Sequence, residues 1–569
     1  MKIKQISLII SLTVISSITC TKSKSNNNNT ILGIAYLLAN QSTTEEANIE
    51  VKGILKDSNE DLITDATLIV TEEVSTSVRA STTTQVTTTS TTDSNGEFTI
   101  YIRVGKYKVT VTKNGSEVGS FVLQPKDLLN KNLEPSEMTD LYVFITQALV
   151  INGGTNILFN FFEFGLFTKL TGGASGTYTQ ASGVSTDSSG NVYVTGYTED
   201  GLDGNTITTS GFSDMFVIKY DSIGNKKWTK QFGTSNGINI GTYGEGITTD
   251  GFGNIYITGI TDGDLDGNTL TGNTDGYIMK FDSGGNKQWT KQFGISSLDL
   301  DSSSISTDTS NNIYITGYTE SELSAPSLLL MKFDYQGNQQ WIQQVSLSGS
   351  DIFGNFLALD SSNNVYVTGD TDTNLEDGSP LSLNYAYLIK YDSDGNKQWI
   401  KYLGEDGDST YGNGISIDSS DNIFVTGYTD AGLAGNTLTG SIDAFVAKYN
   451  TDGTQVWVKQ IGSGTDSFGT IAYRATTDIF GNVYIAGDTD GDLPGSTLIG
   501  YTDAFVVKYN SSGELVSVKQ KGVSSFDTYG IDISLDSLGN PAVVGYTDGD
   551  LDGESNSSNY GDAFITTSW

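Results

Sequence analysis

One nine-residue stretch, Gly253-Asn254-Ile255-Tyr256-Ile257-Thr258-Gly259-Ile260-Thr261, recurs along the whole C-terminal part of this chain. The recurrence limits the possible folds more than any other feature. Copies begin at Asn191, Asn254, Asn312, Asn364, Asn422, Asn482 and Asn540, at spacings of 63, 58, 52, 58, 60 and 58 residues. The unit from Tyr243 to Gly294 shows what repeats. It holds four short aromatic and β-branched runs, near Gly246–Asp250, Asn254–Gly259, Gly276–Phe281 and Lys287–Gln292, with turn residues between them. Four short strands in a unit of this length match one blade of a β-propeller.

The recurring residues have structural roles. Asp187, Asp250, Asp308, Asp360, Asp418, Asp478 and Asp536 each stand four before the repeat Asn, where a carboxylate can accept turn amides. Gly190, Gly253, Asn311, Asn363, Asp421, Gly481 and Gly539 stand one before it, and are residue types that tolerate a left-handed backbone. Gly196, Gly259, Gly317, Gly369, Gly427, Gly487 and Gly545 stand five after it, where blades crowd or a strand bends. Trp228, Trp289, Trp341, Trp399 and Trp457 open five outer strands and are expected to pack between blades. In order and spacing these motifs resemble the bacterial seven-bladed propeller repeat family, whose members are often cell-surface proteins. The expected fold class is all-β, a seven-bladed β-propeller over 166–569 preceded by a small β-sandwich domain. The seventh unit runs out after Asp562-Ala563-Phe564-Ile565, a third strand, while Leu166–Leu170 resembles the fourth strand at Trp228–Phe232. Segment 166–170 is therefore expected to close the last blade and remove the open edges.

The amino terminus has the layout of an export signal, with Lys2 and Lys4 before the apolar run Ile6–Ile15. Ser17-Ile18-Thr19-Cys20 follows, and resembles a relaxed bacterial lipobox in which Cys20 is lipidated. It departs from the usual motif at Ser17 and Thr19. Residues 1–19 then read as signal peptide and 20–46 as a lipidated tether, with Ile31–Ala39 apolar but too short to span a bilayer. Cys20 is the chain's single cysteine, so no intramolecular disulfide is available.

Over 47–126 period-2 alternation marks strands at Ile49–Leu55, Ala66–Val70, Phe98–Ile102 and Tyr107–Val111. Their order resembles the carboxypeptidase regulatory-like (transthyretin-like) sandwich. The matching residues are Gly53, Asp57, Ala66, Thr92–Phe98 and Gly105–Val109, and Ile63-Thr64 stands where that family has a proline. The resemblance implies a spacer or adhesion module. The Ser/Thr-rich run Ser75–Thr92 reads as a solvated hairpin loop. Residues 127–165 contain apolar runs at Val143–Ile151 and Ile157–Phe162 without a clear period, and read as a linker or packing segment.

Charge and missing residue types narrow the function. Lys+Arg 31 against Asp+Glu 67 gives −36, which repels nucleic acid and favours cations or basic partners. There is no histidine, which removes the commonest general base and zinc ligand. Because strands alternate in direction, the short first-to-second and third-to-fourth turns share one end of the ring. The longer second-to-third and between-blade loops share the other end, where function is expected. Those loops are acidic. Asp262, Asp264 and Asp266, and again Asp548, Asp550 and Asp552, alternate and end in Gly, which resembles the start of a calcium loop. Asn273 and Asn559 stand where a helix–loop–helix site has its bidentate Glu, and Leu270 and Asn556 leave the integrin-type loop incomplete. Calcium is thus one reading, and Asx-turn chemistry on a solvated rim is the other. Asp214, Asp275, Asp443, Asp503 and Asp562 begin third strands on the same side. No catalytic constellation is legible. The expectation is a monomeric, exported, lipid-anchored envelope or outer-membrane protein, not an enzyme, with a protein or glycan ligand at the variable acidic loops. A polysaccharide-active hydrolase or lyase, and a structural envelope component, are the competing readings.

Overall fold

The computed structural model describes residues 166–569, apart from 174–175, 188, 209–211, 238, 322–323, 465–468, 479, 537–538 and 558–559, together with the strands within 48–160. Cys20, the tether 20–46, the segment 31–39 and most of the Ser/Thr-rich run lie outside the described residues. The chain divides into two units, Met1–Glu163 and Phe164–Trp569. No helix among the described residues is long and apolar enough to cross a membrane.

In the first unit Asn48–Asp57 lies between Glu97–Ile102 and Leu141–Asn152, both antiparallel to it. Leu141–Asn152 also pairs with Asn132–Leu133 and Thr155–Asn160. A second sheet has the order 87–91, 67–72, 107–113, 116–123. The segment expected as linker thus supplies a long central strand to the first sheet. Its apolar run lacks alternation, so periodicity carried no strand signal there.

The second unit is seven four-stranded antiparallel sheets. The first six run consecutively through 179–232, 242–293, 299–345, 356–403, 410–461 and 470–521. Each follows the order first, second, third, outer strand. The seventh has Thr528–Leu535, Pro541–Thr547 and Asp562–Thr566, and its outer strand is Thr168–Thr171 from the start of the unit. Thr168 stands opposite Thr566 and Thr171 opposite Ala563, while Phe167 N–H donates to Thr567 Oγ1 at 2.8 Å. The first strands neighbour one another around a full circle, including the seventh against the first, so the sheets surround an axial channel.

The turn end is made by the repeated Asp. Asp250 Oδ1 accepts the amides of Phe252 and Asn254 at 2.8 and 2.9 Å, while Oδ2 accepts Asn254 Nδ2 and the Tyr256 hydroxyl at 2.7 and 3.1 Å. Asp187, Asp308, Asp360, Asp418, Asp478 and Asp536 bond the same way to their own Asn. The residue before each Asn has φ between 60° and 84°, whether it is Gly, Asn or Asp. In six blades the glycine five after the Asn faces a bulge in the first strand. A Cβ on Gly259 would lie 1.9 Å from the Tyr243 carbonyl oxygen, and one on Gly427 1.8 Å from that of Tyr411. The crowding is therefore within a blade.

The outer-strand tryptophans pack where expected, between blades. Trp228 lies beside Tyr193 of its own blade and against Gly285 of the next, and Trp289 repeats this with Tyr256 and Gly337. In the first five blades a lysine near the end of the third strand adds a polar link. Lys219, Lys280, Lys332, Lys390 and Lys448 lie over Tyr193, Tyr256, Tyr314, Tyr366 and Phe424. Each donates to a carbonyl in the following blade's third-to-fourth turn.

Candidate functional site

With the turn end used as scaffold, the loop end is where a site can be built. The loop after the second strand follows one plan in five blades. Leu202, Leu265, Leu433, Leu493 and Leu551 are buried in it, none more than 1% exposed. Four of their amides donate to the outer-strand glutamines Gln231, Gln292, Gln460 and Gln520. The residues that follow turn left-handed: Asp203 and Gly204, Asp266 and Gly267, Ala434 and Gly435, Asp552 and Gly553 all have positive φ. Asn205 and Asn268 N–H then donate to the Leu202 and Leu265 carbonyls at 2.9 and 3.0 Å, closing a tight turn. Two successive left-handed residues favour Asp-Gly, which three of these four turns have.

The carboxylates of the calcium reading find partners within this geometry. Asp262 is 1% exposed, and its oxygens accept the amides of Asn239, Ile240 and Gly241 at 2.5 to 3.0 Å. Asp264 accepts Leu270 N–H at 2.8 Å, and Asp266 pairs with Lys287 and Thr290. In the last blade Asp550 accepts Asn556 N–H at 2.8 Å, Asp552 meets Lys521 and Thr168, and Asp548 borders Asp527. Among the described residues no three acidic, histidine or cysteine side chains are grouped to hold a metal. Calcium needs six to eight converging oxygens, whereas Asp262, Asp264, Asp266, Asp550 and Asp552 are each held by a backbone amide, a lysine or a threonine.

The acids that begin third strands are spent similarly. Asp214, Asp275, Asp443, Asp503 and Asp562 are at most 2% exposed. They accept amides of their own loops, from Thr208, Thr271, Ile499 and Ser557 among others, at 2.7 to 2.9 Å. Much of the acidic character expected of this end is folded inward. The third and fourth blades lack the loop plan, and their middle strands extend through 313–321, 324–333, 365–373 and 380–391.

What the loop end presents instead is a belt of aromatic rings around the channel mouth, one that no single repeat reveals. It forms where the start of each first strand meets the residue after the second-strand glycine. Tyr197 stacks on Tyr243 of the next blade, with centroids 4.1 Å apart and planes at 15°. Tyr411 stacks on Tyr428 at 4.7 Å, and Tyr529 on Tyr546 at 4.7 Å. Tyr318 meets Phe353 of the next blade edge-on at 5.0 Å, and Tyr178 bridges Tyr546 and Tyr197. All nine rings are half-buried. Three carboxylates interrupt the belt: Asp301, Asp370 and Asp488. Burial pushes Asp370 and Asp488 up to about 7, and pushes Asp301 up as well. Asp370 accepts Asn355 Nδ2 at 3.1 Å, and Asp488 accepts the Tyr473 hydroxyl.

Deeper in the channel lies Arg474, the only arginine in 166–569. Its guanidinium sits 4.3 Å from the centre of the Phe356 ring, in the fourth blade. Nη1 donates at 2.8 Å to the Asn413 carbonyl, in the fifth. Its charge acts on Asp532 of the seventh blade and Glu245 of the second. A side chain from the sixth blade thus touches the fourth and fifth blades, and its charge bears on the second and seventh. Burial pushes Glu245 up to about 8, with Asp301 adding to the rise and Arg474 opposing it, and pushes Asp532 up to about 6. Arg474 carried a weak signal in the sequence, since it breaks a repeat position occupied by Gly183, Gly246 and Gly414.

Six segments match the SBBP β-propeller repeat: 166–203, 227–266, 288–323, 340–376, 398–434 and 456–494. The chain therefore carries β-propeller repeats of that family. Each match runs from an outer strand into the first two strands of the next blade, so the match at 166–203 opens with the closing strand. An uncharacterized WD repeat-containing protein of Acanthamoeba polyphaga mimivirus is 23% identical over 497 residues, covering 64% of this chain and 35% of that protein. The match thus spans about a third of the relative's length. Among solved structures, a protein of unknown function from Dyadobacter fermentans is 11% identical, with 58% of this chain and 96% of the other covered and a TM-score of 0.37. The polysaccharide lyase Uly1 is 10% identical, with 70% and 90% covered and a TM-score of 0.39. Likeness at this level carries no inference about activity.

Proposed function

We propose that this propeller-repeat chain is a lipid-anchored bacterial envelope protein that binds a protein or glycan partner at the loop end of its propeller and does not transform it. The single observation that supports this most is the belt of half-buried rings around the channel mouth. The core of the blades lies elsewhere, in the buried strand residues. Half-exposed tyrosines give large, rigid contact area at low entropic cost, and favour sugar faces, apolar side chains and cations alike. The anchor at Cys20 and the sandwich spacer belong to the same reading, which would hold the mouth away from the membrane. A glycan array and crosslinking on intact cells test it. Retention of a partner that falls at least tenfold in Tyr197→Ala/Tyr243→Ala, without product formation, supports the reading, and turnover overturns it. Radiolabelled palmitate should enter the chain and fail to enter Cys20→Ser.

A second reading, a hydrolase or lyase acting on polysaccharide, draws on Asp370 and Asp488. Both are buried in the mouth and pushed to about 7, the range suited to acid–base work. A turnover screen in which Asp370→Asn and Asp488→Asn abolish product would establish it. If charge reversal in the loops and loss of the aromatic belt both leave surface phenotypes unchanged, the chain is a structural envelope component.

A further inference from the structure

We propose that the sixth and seventh blades form, within the channel mouth, a cup for a lysine-type primary ammonium group, with the Asp488 carboxylate as its counter-ion and Tyr473, Tyr529 and Tyr546 as its walls. The inference rests on the reading that the loop end binds a partner, and it names the group that the partner presents.

Asp488 is 7% exposed, and its Oδ1 has no hydrogen-bond partner among the described residues. The carboxylate's one side-chain hydrogen bond comes from the Tyr473 hydroxyl. Buried acceptors are almost always paired, so an open one points to a donor supplied from outside. The equivalent positions in the other blades do not share this state. Tyr197, Ile260, Tyr318, Tyr428 and Tyr546 carry no carboxylate, and Asp370 already accepts Asn355. The charged groups that bear on Asp488 are Asp490 and Asp527, both negative. An incoming cation therefore meets a field that the chain does not neutralise. Arg474 lies deeper, donates to the Asn413 carbonyl, and feels the charges of Asp532 and Glu245.

The walls suit a cation. Tyr529 and Tyr546 are stacked at 4.7 Å, with Tyr178 edge-on to Tyr546 at 5.3 Å. The outward side of such a stack attracts a positive group by cation–π interaction. The low exposure of the carboxylate favours a slender stem. An ammonium on a flexible aliphatic chain is a compact point charge, whereas a guanidinium is a broad fork that seeks two acceptors. One open carboxylate also falls short of a calcium cage. The net charge of −36 steers basic partners to this surface.

The test is a titration of the full chain with Nα-acetyl-L-lysine methylamide, its neutral norleucine isostere, glucosamine and calcium chloride, followed by calorimetry and NMR. The lysine derivative should bind saturably and norleucine at least tenfold more weakly. Asp488→Asn should cut lysine binding at least tenfold without lowering the melting temperature, because a buried charge is removed. Tyr546→Leu, which keeps apolar bulk, should weaken binding about fivefold. Lysine binding that survives Asp488→Asn, or that norleucine matches, overturns the inference. So does glucosamine or calcium displacing the lysine derivative from the wild-type chain. If Asp488→Asn keeps its surface partner while Tyr197→Ala/Tyr243→Ala loses it, this inference fails and the wider binding reading stands.

Discussion

Gly427 and Asp250 show how much single residues decide here. Adding a methyl at Gly427 would drive it to 1.8 Å from the Tyr411 carbonyl oxygen, a backbone atom that cannot rotate away. Gly427→Ala should cost about 3 kcal/mol, read by chemical denaturation, and should shift the bulge opposite it. Asp250→Ala would leave the donors it now satisfies in a part-buried turn, the Tyr256 hydroxyl among them. A loss of about 2–4 kcal/mol is expected, and Asp250→Asn should recover part of it. Both roles were legible in the sequence, because Asp, Asn and Gly have few reasons to recur at fixed offsets and turn chemistry is one of them. Asp262–Asp266 was legible only as a pattern. Alternating carboxylates before a glycine suit a calcium loop and a left-handed turn equally, and only the direction of each oxygen separates the two.

At the level of elements, blades are joined by repeated local devices and by one non-local strand. Lys332 donates at 2.8 Å to Ser393 of the next blade while lying 5.0 Å from the Tyr314 ring centre. Lys332→Met keeps the stem and removes both interactions, and should cost about 1–2 kcal/mol. In the sixth blade Lys508 has no outer turn to reach and bonds the Tyr484 hydroxyl instead, at 2.5 Å. The seventh blade depends on Thr168–Thr171, whose Lys169 also pairs with Glu554 at 2.6 Å. Deleting 164–171 should leave the 562–566 strand edge open and convert the chain to concentration-dependent aggregates in light scattering. A soluble deletion variant with an unchanged cooperative melt would show that the edge is protected in another way. The Trp-containing outer strands announced themselves in sequence. The central strand at Leu141–Asn152 did not, since an apolar run without alternation fits several elements.

The whole molecule carries its pH response inside the channel. Burial pushes Asp370 and Asp488 to about 7 and Asp532 to about 6, from an ordinary 3.8, and Glu245 to about 8 from 4.5. The folded chain therefore holds protons that the unfolded chain has already released. The stability these groups contribute is complete below about pH 4 and is lost as pH rises through 6 to 8. Repulsion at a net charge of −36 acts in the same direction. Scanning calorimetry should thus find a higher melting temperature at pH 5 than at pH 8.5, with the slope reduced in Glu245→Gln/Asp488→Asn. A flat profile would mean that these carboxylates remain ionised through solvent in the channel.

By itself the sequence determined that seven like modules exist, how each turns, which rings pack between them and which end carries the longer loops. Those properties are set by short-range offsets that survive in one dimension. The tertiary structure decided what the loop end is. Tyr197 and Tyr243, Tyr318 and Phe353, or Asp488 and Tyr529 belong to neighbouring blades and carry no shared spacing that marks them as partners. Closing the ring brings them to one mouth and sets Arg474 of the sixth blade against Phe356 of the fourth. The cause is geometric: a position that recurs once per blade becomes a circle only after the seventh blade meets the first.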